Sequence, residues 1–154
     1  MTPNFLKTMT SVVEVFHGQA GAGLRAALSL PPGTVVARFE GPVMPWEQVP
    51  PEEARHALLL ENGLWLVDRG LARLVNHACR PNCRVNGANE VVTSRQIPAG
   101  QELTIAYNIV YEGEDPGSWD PRWSFDCACK SDNCRGRVDG YVTPEGRPFR
   151  RAGA

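Results

Sequence analysis

A chain of 154 residues suits one domain with a modest core, and 42% hydrophobic against 21% charged residues excludes a disordered segment. With 16 Lys+Arg against 17 Asp+Glu, the net charge of −1 gives no sequence-wide pull toward nucleic acid, and no apolar run reaches the length of a membrane span. Met1 to Thr10 lacks the apolar centre of a secretory leader, which predicts an intracellular, reducing compartment where cysteines serve metals or catalysis more than disulfides.

Residues 1–10 read as an N-terminal extension. Ser11 to Phe16, rich in β-branched residues, predicts a strand. Gly18 to Gly23 reads as a turn, and Leu24 to Leu30 as a second strand stopped by Pro31-Pro32-Gly33. Thr34 to Phe39 predicts a third, ending near Gly41-Pro42. Pro50-Pro51-Glu52-Glu53 reads as a helix start, because proline fits a first turn and carboxylates favour the positive end of the helix dipole. Ala54 to Leu60 would continue that helix to a stop at Gly63. Leu64 to Asp68 predicts a short strand. Cys83 to Ser94 predicts a hairpin with Asn86-Gly87 at its turn. Ile97-Pro98-Ala99-Gly100 is a turn, and Glu102 to Tyr107 a strand. Tyr111 to Trp123 is polar and loop-like, with an acidic run at Glu112, Glu114 and Asp115. Residues 138–154 read as a polar C-terminal tail, partly disordered. Fifteen glycines and 13 prolines spread along the chain favour a mainly β fold of short elements joined by turns.

Cys127, Cys129 and Cys134 form a CxCx4C pattern. Three thiolates so close in sequence can face one zinc ion, but a structural zinc takes four ligands. The fourth must come from across the chain, from Cys79, Cys83 or a histidine. Such a metal would clip the C-terminal segment onto the domain body. Cys83 reads better as a small buried hydrophobe than as a ligand.

Four motifs, in this order, resemble the SET domain of protein lysine methyltransferases. They are Gly21-Ala22-Gly23-Leu24-Arg25-Ala26, then Arg73 to Asn82 (close to RFxNHSCxPN), then Gly100 to Tyr107 (close to GEELTxDY), then the post-SET cysteines. The resemblance covers about residues 12 to 136. It implies a SET-domain (β-clip-like) fold of small curved sheets with short helices and a C-terminal pseudoknot. The SET domain would occupy residues 11–110 and the zinc-binding post-SET segment 111–137. It further implies S-adenosylmethionine and zinc as cofactors, with a lysine of a protein or peptide, a histone tail among them, as acceptor. A chromatin substrate would place a eukaryotic protein in the nucleus, otherwise in the cytoplasm. Residue by residue, Gly21, Ala22 and Gly23 would approach the methyl donor, and Asn76 and His77 would hold it. Tyr107 would be catalytic, and Cys79 would complete the zinc site with Cys127, Cys129 and Cys134. Phe125 would stack on the adenine, and Trp123 and Ile105 would line the lysine channel.

The sequence departs from the family pattern at Ala78, where serine is usual, and at Ala106, where aspartate usually precedes the tyrosine. The SET-and-MYND subfamily often carries serine at the latter point and shares GxGLRA, but this sequence has no MYND finger and no cysteine-rich pre-SET segment. Ala106 keeps a second function in view, a catalytically inactive SET-like module that binds peptide or protein. Isoleucine at 105, where the family often has Phe or Tyr, brings no hydroxyl to hold a water and predicts that di- or trimethylation is allowed.

Overall fold

The computed structural model describes residues 12–18, 21–60, 62–110, 118–143 and 147–149. The expected N-terminal extension, the acidic run at Glu112, Glu114 and Asp115, and the last residues of the tail lie outside the described residues. In chain order the strands are β1 (Val13–Gly18), β2 (Gly21–Ala26), β3 (Val35–Arg38), β4 (Val43–Met44), β5 (Ala57–Leu59), β6 (Trp65–Val67), β7 (Asn76–His77), β8 (Cys83–Val85), β9 (Glu90–Thr93), β10 (Thr104–Ile105), β11 (Phe125–Asp126) and β12 (Arg137–Val138). Among the described residues every helix is a short 3-10 turn. The mainly β architecture of small sheets is therefore the one expected.

β1 and β2 form an antiparallel hairpin with Phe16 opposite Gly23. The expected turn over Gly18 to Gly23 is corrected: Gly21 to Gly23 belong to the second strand, which ends at Ala26 and not Leu30. A Cβ at Gly23 would lie 2.8 Å from the Phe16 ring, inside contact distance, so a larger residue there would force that ring to move. β3, β9 and β8 form one antiparallel sheet. Its β8–β9 turn is longer than an Asn-Gly pair requires. The Asn86 carboxamide oxygen accepts from the backbone N–H of Ala88 and Glu90, and the left-handed residue is Asn89, at φ 61°. Asparagine tolerates that conformation because its short polar side chain bonds locally.

The expected helix from Pro50 to Leu60 is also corrected. Pro51–His56 makes a 3-10 turn, and Ala57–Leu59 then runs extended as β5. Here β5 pairs with β6, setting Leu59 opposite Trp65, in a sheet ordered β4-β6-β5. Ladder pairing and packing outweigh the weak helix preference of an Ala-Leu-Leu-Leu run, whose periodicity is ambiguous.

β7 and β10 pair in parallel, Thr104 beside Asn76 and Ile105 beside His77. This brings two motifs far apart in sequence into contact. Leu24, Leu30, Val75, Val91, Ile97, Leu103 and Val138 are wholly buried around it. Val138 pairs with Phe125, and Val142 is 0% exposed, so the chain beyond residue 137 is not a loose polar tail where it is described. A second apolar cluster gathers Val49, Ala54, Val67 and Trp123, flanked by Trp46, Trp65, Trp119 and Tyr141.

Candidate active site

The β7–β10 pair positions the reactive candidates. The backbone N–H of Tyr107 donates to His77 Nδ1 at 3.0 Å, and the Tyr107 hydroxyl donates to the Val75 carbonyl at 2.5 Å. With Nδ1 accepting, the proton of a neutral His77 sits on Nε2, which lies 3.4 Å from Cys79 Sγ. Burial, helped by the charge of Arg135, pushes His77 down to about 4, so the ring is neutral at physiological pH. Phe125 closes the group, its ring 5.2 Å from His77 and 5.5 Å from Tyr107. Edge-to-face and tilted aromatic contacts of this kind fix ring orientation.

Two cavities meet here. The first, of about 1060 Å³, is lined by Ala22, Asn76, His77, Glu102, Tyr107 and Phe125 and reaches Cys127 and Cys129. The second, of about 1080 Å³, is lined by Leu58, Trp65, Ile105, Tyr107, Asn108, Trp123 and Tyr141. Tyr107 and His56 border both. His56 stacks edge-on against Tyr107 at 5.7 Å.

The first cavity thus brings together Ala22, Asn76, His77, Tyr107 and Phe125. Gly21 and Gly23 do not line it, although they flank Ala22 in the strand that does. Ile105 and Trp123 both border the second cavity. Ala106 is 3% exposed, so no charge stands at that buried position. Sequence reading missed Glu102 and His56. Glu102 sits inside the ELT motif and was open to discovery there, whereas His56 has no local signal.

Cys79, Cys127, Cys129 and Cys134 converge, their sulfurs all within 4.8 Å of one another. Four thiolates held ~2.3 Å from one tetrahedral zinc stand about 3.8 Å apart. Cys127 Sγ lies 3.9 Å from that of Cys79 and 3.8 Å from that of Cys134, so spacing and donor set both fit zinc. Against burial, which opposes ionisation, the backbone N–H groups of Cys79 and Ser131 and the Ser131 hydroxyl hold the Cys129 thiol down to about 6. Cys83 lies apart, 2% exposed, its thiol pushed up to about 11 by burial, as befits a packing residue.

The sequence profile described as the SET domain matches residues 21–108, more than half of the chain. Among curated proteins, the histone-lysine N-methyltransferase SETD2 of Homo sapiens is 29% identical over 153 residues, 87% of this chain and 6% of its own length. A Schizosaccharomyces pombe histone-lysine N-methyltransferase named as H3 lysine-36 specific is 31% identical over 153 residues, 86% of this chain and 18% of its own length. The chain therefore spans a small part of these relatives. A Plasmodium falciparum crystal structure assigned to the histone methyltransferases superposes with a TM-score of 0.53 at 17% identity, covering 63% of this chain and 93% of that one. Among the described residues no helix is long and apolar enough to cross a membrane.

Proposed function

Because this chain belongs to the SET-domain family, we propose that it is a protein-lysine N-methyltransferase using S-adenosylmethionine, with a histone tail as its substrate. The observation that carries this reading is the pair of cavities meeting at Tyr107. A methyl donor in one and a lysine entering by the other face each other across one phenol. The first cavity suits the donor: it has room for a nucleoside with an amino-acid arm, the Phe125 ring for stacking, and the Asn76 carboxamide on its wall. Ala22, Asn76, His77 and Phe125 would hold it.

S-adenosylmethionine, when bound, supplies a sulfonium-activated methyl group. The chain's own residues then govern the acceptor. Free lysine has a pKa of about 10.4 and must shed its proton before its lone pair can attack. Ile105, Trp65 and Trp123 give the second cavity an apolar wall that disfavours the ammonium. The Tyr107 hydroxyl, tethered by the Val75 carbonyl, orients the neutral amine toward the first cavity. Positioning of this kind supplies most of the rate gain, with effective molarities on the order of 10⁵ M or more.

The test is transfer of a labelled methyl group from S-adenosylmethionine to histones, with lysine 36 of H3 first among the sites to examine. Incorporation that disappears in Tyr107→Phe supports the reading. Binding of the donor with no transfer to any histone or lysate protein would favour the inactive peptide-binding module, the reading that Ala106 motivates.

A further inference from the structure

Asn76 Nδ2 lies 2.8 Å from Glu102 Oε2 and 3.2 Å from the carbonyl oxygen of Ala22. A carboxylate and a carbonyl can only accept, so the amide NH₂ must face them, and both its protons are engaged. Among the described residues nothing donates to the carboxamide oxygen, which is left as the free edge. The amide is held by these two bonds, and the missing side chain at Gly23 leaves it room, since a Cβ there would lie 3.0 Å from Asn76 Nδ2.

Glu102 is itself held from three directions. It bridges to Arg25 in β2, its carbonyl accepts from Asn82 Nδ2 at 2.8 Å, and the next N–H, of Leu103, donates to Leu24. No cation pairs with its carboxylate among the described residues. Ala22, Asn76 and Glu102 line the same cavity.

From this geometry we infer that Glu102 is a positioning residue that fixes the Asn76 amide, and with it an acceptor edge that takes the α-ammonium of S-adenosylmethionine. The inference rests on the cofactor reading above. The ammonium's own charge favours it at that edge over the neutral adenine amine, the cofactor's other strong donor. A charge-assisted bond to an ammonium is about twice as strong as a neutral one, so the edge discriminates by sign as well as by shape. Glutamine at 102 can still offer a carbonyl oxygen to Asn76, whereas alanine cannot.

The experiment is calorimetric titration of wild type, Glu102→Gln and Glu102→Ala with S-adenosylmethionine and with 5′-methylthioadenosine, which lacks the amino-acid arm. Glu102→Ala should lose about tenfold or more in affinity for S-adenosylmethionine, and Glu102→Gln should stay within about threefold of wild type. Methylthioadenosine should bind all three alike. In turnover, KM for the cofactor should rise in Glu102→Ala while kcat at saturation holds within about twofold, as loss of uniform binding requires. Wild-type affinity in Glu102→Ala, equal losses for the two ligands, or a Gln variant as weak as the Ala one would each overturn the role. A wild-type protein that ignores S-adenosylmethionine but is well folded would sink the cofactor reading itself, and this inference with it.

Discussion

The segment after residue 118 is fastened to the body at two places, by sulfur and by indole. At the first, Cys127, Cys129 and Cys134 reach back to Cys79, whose neighbour His77 lines the donor-side cavity. At the second, Trp123 packs on Trp46, Trp65 and Trp119, and Trp65 and Trp123 border the cavity proposed for the acceptor. Arg122 lies 4.0 Å above the Trp46 ring, and Trp46 Nε1 donates to Asp120 at 2.6 Å. The sulfur fastening is a cluster of four thiols that could hold a metal, and with one bound it would depend on that ion and on reduced thiols. The indole fastening depends on buried area and ring geometry, with Arg122 and Asp120 at its edge, and needs no metal. Each mouth of the site therefore has a fastening of a different physical kind, and the two can be perturbed separately.

The largest effect should come from breaking the sulfur side. Cys134→Ser, or prolonged chelation, should remove the ion, abolish binding of S-adenosylmethionine and lower Tm by several degrees. Structural zinc contributes folding free energy directly, so wild-type melting in a metal-free sample would show that the fastening holds without zinc. Next in size is the point where both sides meet. Tyr107→Phe should cut kcat on the order of 10²-fold or more through lost positioning, with metal content and cofactor affinity unchanged. Full activity in that variant would remove the role assigned to the hydroxyl.

Breaking the indole side should be milder in chemistry than in stability. Trp123→Ala should cost about 3–5 kcal/mol of stability by denaturant titration. It should also raise KM for a histone peptide while leaving one zinc per chain and the cofactor affinity intact. A fall in cofactor affinity equal to the rise in KM would show that the two fastenings are one. The smallest effect is on product. Mass spectrometry should find di- or trimethyl lysine from the wild type, and Ile105→Phe should shift the distribution toward monomethyl. Strictly monomethyl product from the wild type would contradict the space inferred at Ile105.

What could be read beforehand follows the same division. The sulfur side was legible because its chemistry is concentrated: three cysteines within eight residues, and Asn76, His77 and Cys79 within four. The indole side was not, because Trp46, Trp65, Trp119 and Trp123 stand far apart and a tryptophan carries no spacing rule. Trp123 was expected at the acceptor channel through family likeness, without the three other indoles around it. β5 was misread as helix because pairing with β6, a long-range contact, decides an Ala-Leu-Leu stretch that local preference leaves open. The burial of Val138 and Val142 was hidden by their polar neighbours, since a single apolar residue in a polar stretch gives no period to detect.

The reach of Cys79 across 48 residues to Cys127 has a consequence for biosynthesis. Chains grow from the N-terminus at roughly 5–20 residues per second, so Cys79 leaves the ribosome about 2 to 10 s before its first sulfur partner. During that interval the pocket around Asn76 and His77 lacks its Phe125 wall, and Cys79 lacks the three sulfurs it meets in the finished fold. A premature stop between residue 110 and Phe125 would release a product that carries the β1–β2 and β8–β9 hairpins but lacks Phe125 and the three cysteines that meet Cys79.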